Sequence, residues 1–288
     1  MFWYRPRWLP RRSVTVPVIR LAGVIGAVPL RSGLTLQGIE PTLQAAFAFK
    51  NAPAVALAIN SPGGSPVQSS LIAKRIRDLA REKQKPVIAF VEDIAASGGY
   101  WLALAADEIF VDRSSIVGSI GVVSSGFGLD AAIGRLGIER RVHTTGPRKA
   151  LLDPFRPEQE GDIEVLRELQ DDIFASFKAM VESRRGAKLA LSGDELYSGR
   201  VWSGERAVGH GLVDGIGELR GILRERYGDK LRLRTVNRQR SWLQRRFGMS
   251  RGMSLGMSGA GDLHPLAAAL PDLLAEVEAA ALWRRYGL

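Results

Sequence analysis

Cysteine is absent from the 288 residues of this chain, and histidine occurs only three times. The lack of cysteine excludes disulfide bonds, zinc sites built on thiolates and a cysteine nucleophile. The three histidines, His143, His210 and His264, are too few for a histidine-rich metal site. A hydrolytic enzyme with this sequence would therefore have few histidines from which to take its general base.

Long uninterrupted apolar runs are also missing. The most apolar N-terminal stretch, residues 14–30, contains Pro17, Arg20 and Pro29, whereas a transmembrane helix needs about 20 consecutive, mainly apolar residues. Residues 14–21 are instead expected to form a buried first strand. We therefore expect neither a transmembrane segment nor a cleavable signal peptide, and a cytoplasmic location.

Acidic residues are lacking in two segments. Residues 1–12 hold four arginines and no acid, and residues 230–251 hold eight basic residues and no acid. Because the net charge of the whole chain is +10, the rest of it is close to neutral. We therefore expect no nucleic-acid partner. The basic segments are typical of peripheral contact with an anionic surface such as the inner membrane, although a disordered basic tail has the same composition.

The remaining sequence alternates apolar runs with amphipathic stretches, a pattern typical of an α/β fold with a parallel sheet. The apolar run 54–60, for example, predicts a strand covered on both faces. The predicted strands are residues 14–21, 54–60, 86–91, 108–111 and 138–144, with a further strand entered at 119–122. The predicted helices are residues 42–49, a helix from Pro66 or Val67, 102–106, 129–136 and 157–184.

Composition divides the chain into four segments. Residues 1–13 form a basic, aromatic tail, and residues 14–228 form the main domain. Residues 229–262 are predicted to be a linker that is first basic and then rich in Gly, Met and Ser. Residues 263–288 have the apolar spacing of an amphipathic C-terminal helix.

The stretch 86–106 carries the strongest chemical signal. A buried strand and a helix of small residues meet there, and Ser97 stands at the turn between them, followed by two glycines. Backbone N–H groups at a helix start lack intrahelical acceptors and stabilise negative charge. Ser97 could therefore be a nucleophile, with an oxyanion held by the N–H of Gly98 and one from Gly63 or Gly64. The competing interpretation is a serine N-cap before tightly packed glycines.

A serine nucleophile needs a general base. Among the histidines, His143 is the best placed, but no nearby acid would orient it. A lysine can serve when burial or neighbouring dipoles lower its pKa. The chain has 8 lysines among its 40 basic residues, so a lysine directly after Arg148 makes Lys149 a candidate base. An exposed loop charge is the alternative interpretation of Lys149.

Five motifs occur in order along the chain. They are Asn-Ser-Pro-Gly-Gly at 60–64, Ala-Ala-Ser-Gly-Gly-Tyr-Trp at 95–101, Gly-Ser-Ile-Gly-Val at 118–122, Gly-Arg-Val-Trp-Ser-Gly at 199–204 and Gly-Leu-Val-Asp at 211–214. This ordered set resembles the signal peptide peptidase A / SohB family of serine proteases over about residues 14–228. The resemblance implies the Clp-protease/crotonase-like fold of repeated ββα units, to which the C-terminal helix is an extension.

The resemblance also implies the roles of six residues. These are Ser97 as nucleophile, Lys149 as general base, Ser119 as the hydroxyl that positions the lysine, and Gly63 or Gly64 with Gly98 as the oxyanion hole. Family members with one catalytic domain assemble into dome-shaped octamers in which neighbouring protomers share the dyad. They cleave remnant signal peptides and other hydrophobic segments, and no metal, nucleotide or organic cofactor is implied.

We therefore expect a homo-oligomeric Ser-Lys endopeptidase, with an octamer as the assembly, acting on signal-peptide remnants or other hydrophobic peptide segments. Two alternatives remain open. An acyl-CoA hydratase or isomerase of the crotonase type would hold a thioester enolate with its glycine loops and would need neither Ser97 nor Lys149. A pseudoprotease scaffold would bind hydrophobic peptides without turnover.

Overall fold

The computed structural model describes residues 13–26, 33–146, 148–191, 193–236, 277 and 280–287. Within these residues the chain forms a mainly parallel, eight-stranded sheet covered by helices. The strands are β1 Thr15–Ala22, β2 Val55–Ser61, β3 Val87–Ala96, β4 Glu108–Val111, β5 Ile116–Gly118, β6 Val201–Ser203, β7 Gly215–Ile216 and β8 Arg232–Thr235. The helices are α1 Leu36–Phe47, α2 Pro66–Lys83, α3 Gly98–Ala103, α4 Asp130–Arg135, α5 Glu160–Arg185, α6 Gly193–Leu196, α7 Gly204–Gly209 and α8 Leu219–Tyr227.

The central strand of the sheet is β3. Its first half pairs with β4 and its last three residues pair with β5, while β2 lies along its other edge. The full order is β6-β5-β3-β2-β1-β8, and among the described strands the one antiparallel pairing joins β5 to β6. Parallel neighbours require crossover connections, which α1 and α2 supply after β1 and β2. The predicted α/β fold with a parallel sheet is confirmed.

Residues 55–59 of β2 and 87–91 of β3 are buried on both faces, which explains why their sequences are continuous apolar runs, whereas the exposed Arg20 interrupts β1. Side chains alternate between the two faces of a strand. On one face, residues such as Leu57 and Ile59 join the main core with α1, α2, α3 and Phe177 of α5. On the other face, Ala56 and Phe90 pack with Leu223 of α8 in a second, smaller core.

Helices α1 and α2 begin at side-chain caps. The hydroxyl of Thr35 accepts a hydrogen bond from the N–H of Gly38, so α1 begins at Leu36, six residues before the predicted start at 42. Ser65 accepts from the N–H of Gln68 in the same way, and α2 begins with a proline at its first position, as predicted. The side-chain acceptors therefore decide where these helices start.

Two strand predictions are wrong: one segment forms no strand, and one strand lies earlier in the chain than predicted. Residues 138–144 form no strand: Gly137, two residues after the end of α4, has a φ of 66° that turns the chain away, and the side chains that follow are exposed. The strand expected to follow 119–122 is instead β5, which precedes it. Gly118 and Ser119 have φ values of 120° and 53°, which end the strand before residue 119.

A buried ion pair closes the fold. Arg185 at the end of α5 is 4% exposed; its Nη1 lies 2.8 Å from Asp214, and its Nε donates to the carbonyl of Gly211. Burial opposes ionisation of Asp214, but hydrogen bonds from Lys188, Arg185 and the N–H of Ile109 outweigh it, so the pKa of Asp214 is lowered. The carboxylate therefore fixes the end of α5 to the 211–214 loop and to β4.

The sheet extends past residue 228, where the sequence placed the end of the main domain. Strand β8 lies in the segment predicted to be a linker and pairs in parallel with β1. Residues 1–12 of the predicted tail 1–13 and the Gly/Met/Ser-rich repeats lie outside the described residues. Within the predicted C-terminal helix, residues 277 and 280–284 are helical. None of the helices described here combines the length and apolar character needed to cross a membrane.

Candidate active site

Ser97 occupies the turn between β3 and α3. Its backbone has φ 51° and ψ −122°, a conformation that a residue with a side chain rarely adopts. The N–H of Ser97 donates to the carbonyl of Gly118 at 2.8 Å, and its carbonyl accepts from the N–H of Trp101 at 3.1 Å. The strained turn is therefore held from β5 on one side and from α3 on the other, as in a nucleophile elbow.

The side chain of Ser97 does not cap α3. Ser97 stands at the N-cap position, yet its hydroxyl makes no capping hydrogen bond, whereas Thr35 and Ser65 do so for α1 and α2. The residue is half-buried at the start of a helix. The N-cap interpretation therefore lacks the hydrogen bond that defines it.

Gly63, in the loop after β2, lies directly against Ser97. Its φ is 110°, and a Cβ added to it would lie 2.9 Å from the Cβ of Ser97 and 3.0 Å from the backbone N of Gly98. Only glycine allows two backbones to approach so closely. The space that this leaves beside the N–H of Gly98 is where an oxyanion formed by attack of Ser97 would lie.

The candidate N–H donors differ in their existing partners. The N–H of Gly63 donates to the hydroxyl of Ser61 at 3.2 Å. Among the hydrogen bonds of the described residues, none begins at the N–H of Gly64 or of Gly98. Gly98 is the first residue of α3, where an N–H has no intrahelical acceptor. Gly98 and Gly64 are therefore better suited than Gly63 to donate to an oxyanion.

Ser119 follows β5 as Ser97 follows β3. The parallel register aligns Ala96 with Gly118, so the two serines come at the same level on strands that are about 4.8 Å apart. Ser119 is 6% exposed, and its N–H donates to the carbonyl of Arg200 at 2.7 Å. Its hydroxyl accepts a hydrogen bond from the phenol of Tyr286 at 3.2 Å.

Lys149 is not brought to the serines within the described chain. It is exposed in a turn, where its N–H donates to the carbonyl of Gly146 at 3.3 Å. No hydrogen bond or ion pair of its amine with Ser97 or Ser119 occurs among the described residues. His143, the alternative base, is exposed in the same part of the chain.

Both residues belong to residues 122–159, which we call the excursion. Asp153 organises it: its side chain is 3% exposed and lies 2.8 Å from Arg140, whose guanidinium lies over the ring of Phe155. Burial disfavours the Asp153 carboxylate, but hydrogen bonds from Arg140 and the N–H of Phe155 outweigh it and lower its pKa. The excursion therefore has an internal framework.

The excursion also exposes apolar side chains. Helix α4 within it has no buried residue. The exposed large apolar residues of the excursion are Val123, Phe127, Leu129, Leu136, Ile138, Val142 and Leu152. Such a concentration is unusual for a surface that faces only water and is typical of a contact surface.

Two buried polar residues near the site were missed by sequence reasoning. Ser69 on α2 is fully buried, donates to the carbonyl of Ser65, and lies where a Cβ on Gly98 would meet its hydroxyl at 2.4 Å. Tyr100 on α3 is fully buried and donates to the carbonyl of Leu212 at 2.7 Å, and burial raises its pKa. The sequence does contain one sign of Ser69: it is a polar residue on the apolar face of α2, which predicts that it is buried.

Comparison with known sequences identifies relatives of this site. The profile described as peptidase family S49 matches residues 79–229, just over half of the chain. A Brucella abortus (strain 2308) protein named Na(+)/H(+) antiporter NhaA is 51% identical over 290 residues, which cover 98% of this chain and 39% of that protein. The chloroplastic serine protease SPPA of Arabidopsis thaliana is 32% identical over 213 residues, covering 71% of this chain and 31% of that protein. The chain thus spans less than two fifths of these relatives.

Two solved structures have a similar fold. They are of the 1510-N membrane-bound stomatin-specific protease, one a serine-to-alanine variant and the other a lysine-to-alanine variant in complex with a substrate peptide. Both give a TM-score of 0.51, at 16% and 15% identity, and cover 80% and 79% of this chain and 100% and 94% of those chains. At this level of identity the likeness concerns the fold alone.

Proposed function

Because this chain belongs to peptidase family S49, we propose that it is an endopeptidase in which Ser97 attacks the carbonyl carbon of a peptide bond. The family and the protease relatives identify a serine peptidase and do not favour an acyl-CoA hydratase, an isomerase or a non-catalytic scaffold. The observation that carries the role of Ser97 is its strained, uncapped position beside the N–H of Gly98.

The proposed reaction is acyl transfer to Ser97 followed by hydrolysis. The Oγ of Ser97 forms a bond with the carbonyl carbon while its proton passes to the neutral amine of Lys149. The carbonyl oxygen becomes an oxyanion held by the N–H groups of Gly98 and Gly64. Lys149 then protonates the leaving nitrogen as the C–N bond breaks. A water molecule, deprotonated by the same amine, attacks the ester; its bond to the Oγ of Ser97 breaks, and the amine returns the proton to that Oγ. Ser119 would hold that amine in place.

We propose that Lys149 reaches Ser97 from a neighbouring copy of the chain. Two observations support this assembly: the exposed position of Lys149 on the excursion, and the apolar side chains exposed around it. A second copy covering the excursion would bury these side chains and deliver the amine, and a ring of such contacts closes into an oligomer such as the expected octamer. Leu136 is 73% exposed, so Leu136→Glu should reduce the mass measured by light scattering; an unchanged mass would exclude this surface.

We further propose that the substrates are hydrophobic peptide segments and that the enzyme works at the cytoplasmic face of the inner membrane. The names of two relatives support this proposal: one is an antiporter, and another, from Enterococcus faecium and 32% identical over 163 residues, is named a putative signal peptide peptidase. The basic segments would supply the membrane contact.

Vesicle binding tests the proposed membrane contact. Residues 232–235 belong to the sheet, so the variant should replace arginines elsewhere in the basic segments. These are Arg5, Arg7, Arg11, Arg12, Arg238, Arg240, Arg245, Arg246 and Arg251, each changed to Gln. We expect the variant to lose pelleting with anionic vesicles, and unchanged pelleting would contradict the proposal.

Hydrolysis of a fluorogenic apolar-peptide library tests the proposed chemistry. We expect Ser97→Ala and Lys149→Ala to lower kcat/KM by at least about 10⁴-fold. The matched controls Ser70→Ala and Lys50→Ala, at exposed positions, should leave it unchanged. Turnover that survives Ser97→Ala would refute the nucleophile, and turnover lost with Ser97 but kept without Lys149 would direct the search for the base to His143.

A further inference from the structure

A segment outside the family match touches the candidate site. Residues 280–284 are helical and continue into a turn, in which the N–H groups of Arg285 and Tyr286 donate to the carbonyls of Ala281 and Trp283. From this turn the phenol of Tyr286 donates to the hydroxyl of Ser119 at 3.2 Å, across 167 residues of sequence. The segment thus contacts the hydroxyl that stands beside Ser97.

Tyr286 contacts the hydroxyl of Ser119, which is the group that would position Lys149 in the proposed mechanism. An amine positioned by Ser119 must come within about 3 Å of its Oγ. Ser119 is 6% exposed with Tyr286 in place, and Tyr286 donates to its Oγ from an aromatic ring that is itself half-buried. The ring and an incoming Lys149 side chain would therefore compete for the same space beside Ser119.

We propose that residues 280–287 are an intramolecular inhibitor of the peptidase. While Tyr286 is hydrogen-bonded to Ser119, Lys149 cannot be positioned and the site is closed; withdrawal of the segment opens it. This inference rests on the proposed roles of Ser119 and Lys149. A single neutral hydrogen bond is weak, so the closed state exchanges with the open state and reduces activity without abolishing it.

Kinetics of the full chain provide the first test. We expect Tyr286→Ala to raise kcat/KM for an apolar fluorogenic peptide by about 3- to 10-fold, the range that one hydrogen bond and its packing support. Tyr286→Phe, which keeps the ring, should raise it less, and Arg284→Ala, at an exposed position at the end of the preceding helix, should not change it. A synthetic peptide of residues 277–287 should then inhibit Tyr286→Ala competitively. Equal activity of Tyr286→Ala and wild type would overturn the proposal.

A second test does not depend on peptidase activity. The chain has no cysteine, so Ser119→Cys introduces a single thiol at the contact. We expect maleimide to label that thiol several-fold faster when Tyr286→Ala is added, and at an unchanged rate when Arg284→Ala is added instead. Equal labelling rates with and without Tyr286 would refute the contact. If no variant hydrolyses peptides but Tyr286→Ala still accelerates labelling, the proposed peptidase activity is refuted, whereas the proposal that residues 280–287 cover Ser119 is supported.

Discussion

Replacing Gly63 by alanine tests the geometry of the proposed oxyanion site. The same replacement at Gly23 serves as a control, because it introduces backbone strain without placing a methyl group beside Ser97. Gly63 and Gly23 both have positive φ, 110° and 101°. A Cβ on Gly23 would meet nothing within 4 Å, whereas a Cβ on Gly63 would lie 2.9 Å from the Cβ of Ser97 and 3.0 Å from both the carbonyl of Ala96 and the N of Gly98.

The two substitutions should therefore have a similar conformational cost and different effects on catalysis. Each forces alanine into a sparsely populated backbone region, at about 1–3 kcal/mol of folding free energy. Gly63→Ala must in addition displace backbone atoms of the turn that carries Ser97 and Gly98. Losing one oxyanion donor typically lowers the rate by about 10²- to 10³-fold, and we expect a loss of that size in Gly63→Ala alone.

The assay compares kcat/KM for an apolar fluorogenic peptide with the free energy of unfolding from urea titrations. We expect Gly23→Ala to retain wild-type kcat/KM while losing stability, and Gly63→Ala to lose both. Near-normal turnover in Gly63→Ala would refute the proposed position of the oxyanion. An equal loss of turnover in Gly23→Ala would show that backbone strain, not obstruction beside Ser97, lowers the rate.

Two further predictions concern the contacts that support the site. Burial opposes ionisation of Asp214, but its partners Lys188 and Arg185 outweigh it and lower its pKa, so the carboxylate stabilises the fold above about pH 4 and this contribution is lost as pH falls through the lowered pKa. Urea unfolding should therefore show a steeper loss of stability below about pH 4 in wild type than in Asp214→Asn; equal slopes would contradict this. Tyr100→Phe should lower the free energy of unfolding by about 1–3 kcal/mol, because the buried carbonyl of Leu212 loses its donor, and an unchanged value would show that another group replaces it.

The parts of the fold that local sequence specifies were predictable. β4 has the bounds predicted for it, because a short apolar run between polar residues describes a buried strand directly. Residues 138–144 also place apolar residues between polar ones but form no strand, since the local sequence does not reveal whether a partner surface exists within the same chain. β8 was missed for the opposite reason: its arginines are exposed, and its pairing with β1 depends on backbone groups.

The candidate site likewise contains residues whose positions the sequence predicts and residues whose positions it does not. Ser97, Gly63 and Gly98 come together because two neighbouring strands end there, which the order of strands and glycine loops implies. The position of Lys149 depends on what the excursion packs against, and no local pattern contains that information. The hydrogen bond from Tyr286 to Ser119 joins parts of the chain 167 residues apart, and only the tertiary structure reveals it.

Mixing two inactive variants tests the proposed dyad most directly. Ser97→Ala and Lys149→Ala are denatured together in equal amounts, refolded, and assayed on an apolar fluorogenic peptide against each variant alone. If neighbouring copies share the dyad, random assembly pairs an intact serine with an intact lysine at about a quarter of the sites, so about a quarter of wild-type activity should return. If Ser97 and Lys149 act within one chain, or if either residue has been wrongly assigned, the mixture will be no more active than its components.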